Sequence, residues 1–312
     1  MKKPQTLPRK LSASNQPNPF VKWAGGKRKL APLLIETFPE EFQPLKNRYF
    51  EPFIGGGALM FALGNPDSDL YIPGTNLFIN DMNPELTNTY EVIRDNVNTL
   101  IKELEILSKK INEKTFYEIR ANVPRGKVAR AARFIYLNKT CFNGLWRVNS
   151  KGEFNVPFGK SKNPSLFSEE NLRACSLRLK GTTITNMSFE RSVSKARKGD
   201  LVYFDPPYIP LSPSASFSAY AKEGFGLKEQ ELLAETILKL TAKGVYVLLS
   251  NSDTPETRKI FKKSLTLRKV LMSRSISSSG TTRKPVFEVL GMNYSHLRGS
   301  AMGNLDLISR PN

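Results

Sequence analysis

Short apolar runs, each closed by a polar, glycine-rich or carboxylate-bearing turn, recur along the chain at 49–53, 77–79, 183–187, 201–204 and 245–249. Runs this short, bounded by turn residues, predict strands buried on both faces of a parallel sheet. Between them the apolar spacing becomes helical, over 29–37, 58–62, 84–96, 227–242 and 254–263. The alternation predicts an α/β fold with a doubly wound sheet, and 286–293 adds a closing strand. From 96 to 180 that rhythm stops: helical patterns at 97–111 and 127–137 lead into a glycine- and asparagine-bearing loop, 143–159. The chain therefore divides into a discontinuous α/β domain, 19–95 plus 181–296, and a mainly helical and looped insertion, 96–180. Residues 1–18 have too few large apolar side chains to offset their ordering entropy and predict a disordered basic arm. Residues 297–312 predict a flexible tail, and the serine run at 275–279 a loop.

With 39% of its 312 residues hydrophobic, the chain can bury one large core or two modest ones. No run approaches the roughly 18 apolar residues of a membrane span, and residues 1–18 are too polar for a secretory signal. The expectation is a soluble, cytoplasmic protein that does not engage membranes. Cys141 and Cys175 stand outside any paired or metal-spaced motif and predict partly buried thiols. His296 is the only histidine, so zinc sites, serine or cysteine triads and imidazole base catalysis lack their usual parts, and no metal is expected.

Charge changes the picture more than composition does. The net charge is +19, and its excess is localised: twelve Lys or Arg against three Glu over 121–180, nine against one over 254–284. One such run is an ordinary solvated surface. Two separate runs, with no amphipathic basic helix or lipid anchor, predict nucleic acid as the polyanionic partner. Nothing in the sequence calls for an obligate protein partner.

Candidate chemistry concentrates where strands end. Asp200-Leu-Val-Tyr-Phe-Asp205-Pro206-Pro207-Tyr208 is an apolar strand that delivers a carboxylate, two prolines and an aromatic ring at the edge where open α/β sheets bind ligands. The set suits methylation of a base amine, a poor nucleophile because its lone pair is delocalised into the ring. Asp205 can accept one amine hydrogen and the Pro206 carbonyl another, drawing the nitrogen towards tetrahedral geometry. Fixed φ angles hold that carbonyl in place, and Pro207 has no N–H to engage it. Tyr208 offers a face on which an extruded base can stack. Taken alone, Asp-Pro-Pro-Tyr also serves as a plain turn after a strand.

A second strand opens into a glycine turn at Glu51-Pro52-Phe53-Ile54-Gly55-Gly56-Gly57, where backbone can approach a nucleotide-like ligand. Asp81 ends the next strand 24 residues after Gly57, near the spacing at which an acid meets ribose hydroxyls. A dinucleotide enzyme shares both features, so they indicate an adenosine-containing ligand without naming it. In Lys22-Trp23-Ala24-Gly25-Gly26-Lys27 the adjacent glycines, and Arg28 after Lys27, exclude a P-loop. Trp23 can face a sulfonium and Lys27 a carboxylate, both parts of S-adenosylmethionine; a buried Trp beside a surface Lys is the plainer alternative.

Within the insertion, Phe142-Asn143-Gly144-Leu145-Trp146-Arg147-Val148-Asn149 interleaves aromatic, amide and arginine side chains on a turning backbone. Arg147 suits bidentate contact with guanine, and Phe142 can wedge into a base stack. Arg130, Arg133, Lys139, Lys151 and Lys160 are candidates for phosphate contacts, although a solvated surface role describes any one lysine equally well.

Together these segments resemble the Dam-type, D12 class N6-adenine DNA methyltransferases of class alpha, over roughly residues 19–294. The resemblance rests on Lys22-Trp-Ala-Gly-Gly-Lys27, Glu51-Pro-Phe-Ile-Gly-Gly-Gly57, Asn80-Asp-Met-Asn83, Phe142-Asn-Gly-Leu-Trp-Arg147, Glu153-Phe-Asn-Val-Pro-Phe-Gly159, Asp205-Pro-Pro-Tyr208 and Leu249-Ser-Asn-Ser-Asp253, in family order. It implies a Rossmann-like S-adenosylmethionine-dependent methyltransferase sheet with 96–180 as target-recognition domain. It implies cofactor contacts at Trp23, Lys27, Phe53, Gly55, Gly57, Asp81 and Asp205, with Phe189 on the cofactor adenine by a looser match. Asp205, Pro206, Pro207 and Tyr208 would handle the target adenine, and Phe142, Asn143, Leu145, Arg147, Pro157 and Lys160 would meet DNA.

The implied reaction moves a methyl group from S-adenosyl-L-methionine, leaving S-adenosyl-L-homocysteine, to N6 of adenine in double-stranded DNA. The site is commonly GATC, the base is flipped, and no metal or covalent enzyme intermediate takes part. The setting is bacterial cytoplasm or nucleoid, whether in restriction-modification, genome marking or a mobile element. Lys160 replaces an arginine of some relatives, Ser161 an aromatic residue, and Lys139-Thr140-Cys141 also differs, which bears on the outer bases. Two rivals remain at this point. Cytosine N4 methylation needs the same acceptors, although Asp at the head of the motif favours adenine. An inactive DNA-binding module keeps the fold, but the intact 205–208 motif argues against it.

Overall fold

A computed structural model describes residues 16–65, 68–161, 164–208, 225–272, 286–298 and 305–311. Most of the expected arm and the serine run at 275–279 lie outside the described residues. Two compact units are present: one comprises the described residues up to Arg28 with Gly55–Thr75 and Asn83–Thr182, the other Lys29–Ile54, Asn76–Met82 and the described residues from Thr183 on.

The second unit holds the sheet. Its strands are β1 Tyr49–Glu51, β2 Leu77–Asn80, β3 Thr183–Thr185, β4 Leu201–Phe204, β5 Tyr246–Ser252, β6 Thr266–Met272, β7 Val286–Met292 and β8 Asp306–Ser309, in the order β3-β2-β1-β4-β5-β7-β6-β8. β3, β2, β1, β4 and β5 are parallel, while β7 runs antiparallel between β5 and β6. The expected α/β class and Rossmann-like sheet are therefore what the chain forms. The order reverses between β1 and β4, the switch point at which such sheets open a crevice for ligands beyond their carboxyl ends. Asp200, buried at the start of β4, accepts from Arg48 N at 2.9 Å, Nε at 3.0 Å and Nη2 at 2.7 Å, tying the amino ends of β1 and β4 together.

Helices α1 Ala31–Glu36, α7 Phe189–Ser192, α8 Leu227–Ala242 and α9 Pro255–Phe261 belong to this unit. Leu233, Ile237 and Leu240 of α8 join Val202, Phe204, Val247 and Leu249 in one apolar core. β1 stops at Glu51, short of the expected residue 53, because Pro52 brings no N–H to a ladder. β6 and β8 go beyond the sequence reading. β8 pairs antiparallel with β6 in the stretch expected to be a tail. β6 escaped notice because its buried positions do not keep a period of two: Leu265 and Leu267 are buried, then Val270. The irregularity in its pairing with β8 lies on β8, where Ile308 is passed over between Leu307 and Ser309.

The first unit is helical, with α2 Ala58–Ala62, α3 Pro84–Ser108, α4 Glu113–Ala121, α5 Lys127–Thr140 and α6 Glu169–Leu179. The two helices expected at 84–96 and 97–111 are one, bent at Asn96, whose φ of −138° and ψ of 33° leave the helical region. α4 and α6 were not expected. α4 buries only Phe116, too little for a periodic signal, but α6 carried one: Ser168 caps Asn171 N at 3.2 Å, with Glu169 and Glu170 in the first turn. Phe116, Tyr136, Leu137, Cys141, Phe154, Val156 and Leu166 form the core behind the loop after α5. Both cysteines are fully rather than partly buried.

Candidate active site and nucleic-acid interface

In the second unit, the four buried residues of β4 carry Asp205-Pro206-Pro207-Tyr208 to the carboxyl edge. The Pro207 carbonyl accepts from Gln230 Nε2 at 2.9 Å, and Gln230 Oε1 from Asn251 Nδ2 at 3.1 Å, with both amides fully buried. This amide relay, from β5 through α8, holds the Pro207–Tyr208 peptide, one residue beyond the Pro206 carbonyl. The buried Tyr203 hydroxyl meets Ser250 Oγ at 2.9 Å. Burial first, then the charge of Asp205, raises the Tyr203 and Tyr208 hydroxyls well above the usual phenol range, with Glu288 adding to both. Both tyrosines therefore stay neutral beside acidic groups. A carboxylate and carbonyls at the end of a buried strand can accept hydrogen bonds from an amine without changing charge.

Asn80, buried at the end of β2, ties the neighbouring strand ends. Its Nδ2 donates to Pro52 O at 3.0 Å and Met187 O at 2.9 Å, and its Oδ1 accepts from Thr185 Oγ1 at 2.9 Å and Met187 N at 3.0 Å. The segments bearing Phe53, Asp81 and Phe189 leave from this knot. Phe53 packs on Phe189 with centroids 5.4 Å apart and on Phe225 at 5.3 Å. Asp81 is half-exposed, its backbone held by Thr185 O at 3.4 Å and Asn186 Nδ2 at 2.8 Å.

In the first unit, the glycine turn closes against the tryptophan motif. Gly55 has φ +47°, and a Cβ there would lie 2.7 Å from Trp23 Cδ1. At Gly57, φ +70°, a Cβ would lie 2.6 Å from the Tyr90 hydroxyl, which itself donates to Gly55 O at 2.9 Å. Both conformation and space therefore demand glycine. Lys27 is 3% exposed and donates from Nζ to Gly25 O at 3.0 Å, so it is not the surface lysine of the plainer reading. A turn this tight, with an indole on it and a buried ammonium nearby, fits a ligand that carries a sulfonium, a carboxylate and an adenosine.

The loop after α5 is a small hairpin. Phe142 N donates to Pro157 O at 2.9 Å, Gly159 N to Thr140 O at 2.8 Å and Asn149 N to Glu153 O at 2.9 Å. Arg147 is exposed, and its Nε donates to Asn155 Oδ1 at 2.8 Å, which aims the guanidinium. Phe142, 49% exposed, and Leu145, 44%, lie on the same loop. Asn143, at φ +54°, and Lys160, at φ +50°, mark the backbone's turns. The hairpin thus brings Phe142, Asn143, Leu145, Arg147 and Pro157 onto one small structure. Two phosphate candidates are not available there. Arg133 is buried and donates to Ile119 O at 2.8 Å and Arg120 O at 2.6 Å, closing the carboxyl end of α4, while Arg130 is paired with Glu85. Lys151 and Lys160 are exposed.

Sequence reasoning missed Asn80, Gln230, Asn155 and Asn138. Asn80 and Asn155 carried a signal, their places within the 80–83 and 153–159 motifs. Among the described residues no group of three or more His, Cys, Asp or Glu could hold a metal, and no helix is long and apolar enough to cross a membrane.

A parallel sheet reversing between β1 and β4, with Asp-Pro-Pro-Tyr at the reversal, defines the class as S-adenosylmethionine-dependent methyltransferases that act on a base amine. Residues 23–275 match the family model of D12 class N6 adenine-specific DNA methyltransferases, and the chain belongs to that family. The Type II methyltransferase M1.LlaDCHI of Lactococcus lactis subsp. cremoris is 38% identical over 286 residues, covering 89% of this chain and 96% of its own. M.MjaIII of Methanocaldococcus jannaschii is 38% identical over 290 residues, 88% and 99% of the two chains. The DNA adenine methylase of Vibrio cholerae is 34% identical over 288, 90% and 98%. The chain is accordingly a site-specific, S-adenosylmethionine-dependent adenine DNA methyltransferase.

Proposed function

We propose that this enzyme methylates N6 of adenine within GATC or a related short site, after flipping the base out of the duplex. The observation that carries this reading is the hairpin: an exposed arginine aimed by Asn155 shares it with exposed Phe142 and Leu145. Arg147 would take guanine O6 and N7, Phe142 would fill the stack left by the flipped base, and Leu145 and Pro157 would line the groove with Asn143 and Lys160. Residues 96–180 then act as target-recognition domain, and 19–95 with 181–296 as catalytic domain. The basic cavity of about 440 Å³ lined by Asp253, Thr254, Pro255, Arg258, Lys259 and Lys262, at the start of α9, would hold the DNA backbone.

S-adenosylmethionine, when bound, supplies the electrophilic methyl group. In the first unit Trp23, Gly55, Gly57 and Lys27 would receive its sulfonium and carboxylate end. In the second, Asp81 would accept from the ribose, and Phe53 and Phe189 would flank the adenine. Asp205 and the Pro206 carbonyl would accept the two N6 hydrogens of the target base, Pro207 would keep that carbonyl rigid, and the ring of Tyr208 would carry the flipped base. A cytoplasmic or nucleoid location fits access to chromosomal DNA. Single-molecule sequencing of DNA from cells expressing the chain tests the proposal. It predicts N6-methyladenine confined to GATC or a site one base removed; modification scattered without a common motif would overturn it.

A further inference from the structure

The side chain of Asn138, on α5, is fully buried and reaches two segments of the first unit at once. Its Oδ1 accepts from Lys22 N at 2.8 Å, and its Nδ2 donates to Lys22 O at 2.8 Å and to Gly144 O at 3.0 Å. The amide thus satisfies both backbone groups of the residue before Trp23 and one carbonyl of the hairpin that carries Arg147. The hairpin also touches that segment directly, since a Cβ at Gly144 would lie 2.5 Å from Lys22 Cδ. A parallel path runs through rings: Trp23 to Phe134 at 6.3 Å, Phe134 to Trp146 at 4.2 Å, and Trp146 to Phe154 at 4.6 Å between centroids.

We propose that Asn138 is a positioning residue that joins the Trp23 segment to the Arg147 hairpin, so that cofactor binding and DNA recognition strengthen each other. The inference rests on the reading above, in which Trp23 meets the cofactor and the hairpin meets DNA. Ordering either segment shares the entropic cost of ordering the other, because one buried amide holds both. Linkage makes the effect reciprocal.

The test is the ratio of S-adenosyl-L-homocysteine affinities with and without cognate duplex, measured calorimetrically on the full chain. The wild-type ratio should be about fivefold or more. Asn138→Ala should bring it below about twofold while affinity without DNA stays within about threefold. A folded Asn138→Ala protein with the wild-type ratio overturns the proposal, since a merely structural role lowers stability without touching the ratio. If that variant does not melt cooperatively, Gly144→Ala carries the test: it pushes the hairpin off Lys22, and an unchanged ratio overturns the proposal. Wild-type protein that binds both ligands independently overturns this linkage alone, whereas wild-type protein that binds neither overturns the functional reading beneath it.

Discussion

At the scale of single residues, the candidate acceptors for an amine stand out in the sequence and the groups that hold their segment do not. Asp205 to Tyr208 declared themselves because two prolines beside an acid after an apolar run are chemically unusual. Gln230, Asn80 and Asn138 are ordinary letters whose partners lie 23, 107 and 116 residues away, and only the folded chain shows that each completes a buried network. Gln230→Leu leaves the Pro207 carbonyl and the Asn251 amide buried without that partner, which costs about 1–3 kcal/mol. A urea titration should show the loss, and kcat should fall by up to about 100-fold as the loop shifts, with duplex affinity within a few-fold; wild-type kcat would contradict the role given to the relay. Burial pushes the Cys141 thiol up to about 11, against about 8.5 in an unfolded chain. Between those values the folded protein keeps a proton that the unfolded chain has released. Stability is therefore intact below about pH 8.5 and declines as pH rises towards 11. Urea midpoints at pH 8 and pH 10 should differ, and Cys141→Ala should narrow the gap; an equal gap in the variant would show that the thiol plays no part.

At the scale of elements, strands fully buried in the parallel half of the sheet announced themselves, since β1, β2 and β4 are short apolar runs ending in turns. The antiparallel edge did not. The buried positions of β6 depart from strict alternation, and its Arg268 and Lys269 read as part of a charge run. The bend at Asn96 produced the opposite error, one helix that reads as two. The charge run itself retains meaning around α9. Arg258 is tied to Asp253 at 2.7 Å, and Lys259 and Lys262 are the further exposed cations of the cavity. If both contact phosphate, Lys259→Gln with Lys262→Gln should lower the salt slope of log Kd for duplex by about 2. The measurement is binding across a salt series, and an unchanged slope would remove α9 from the DNA contact.

At the scale of the whole molecule, the helical unit and the sheet unit each contribute a distinct part of the chemistry. The first presents an indole, a glycine turn and an arginine-bearing hairpin, the second a rigid carboxylate and carbonyl at a sheet switch point. The family's reaction is transfer of a methyl group to adenine N6 in DNA. We propose that Asp205 and the Pro206 carbonyl carry that step and that the hairpin selects the base. The most direct test is mass spectrometry of nucleosides from a GATC duplex incubated with S-adenosylmethionine and either wild-type enzyme or Asp205→Ala. The account predicts N6-methyl-2′-deoxyadenosine as the sole methylated nucleoside with wild type, and at least about a 100-fold loss of rate with Asp205→Ala at near-normal duplex affinity. Methylated cytosine, or an Asp205→Ala enzyme that turns over at the wild-type rate, would contradict it.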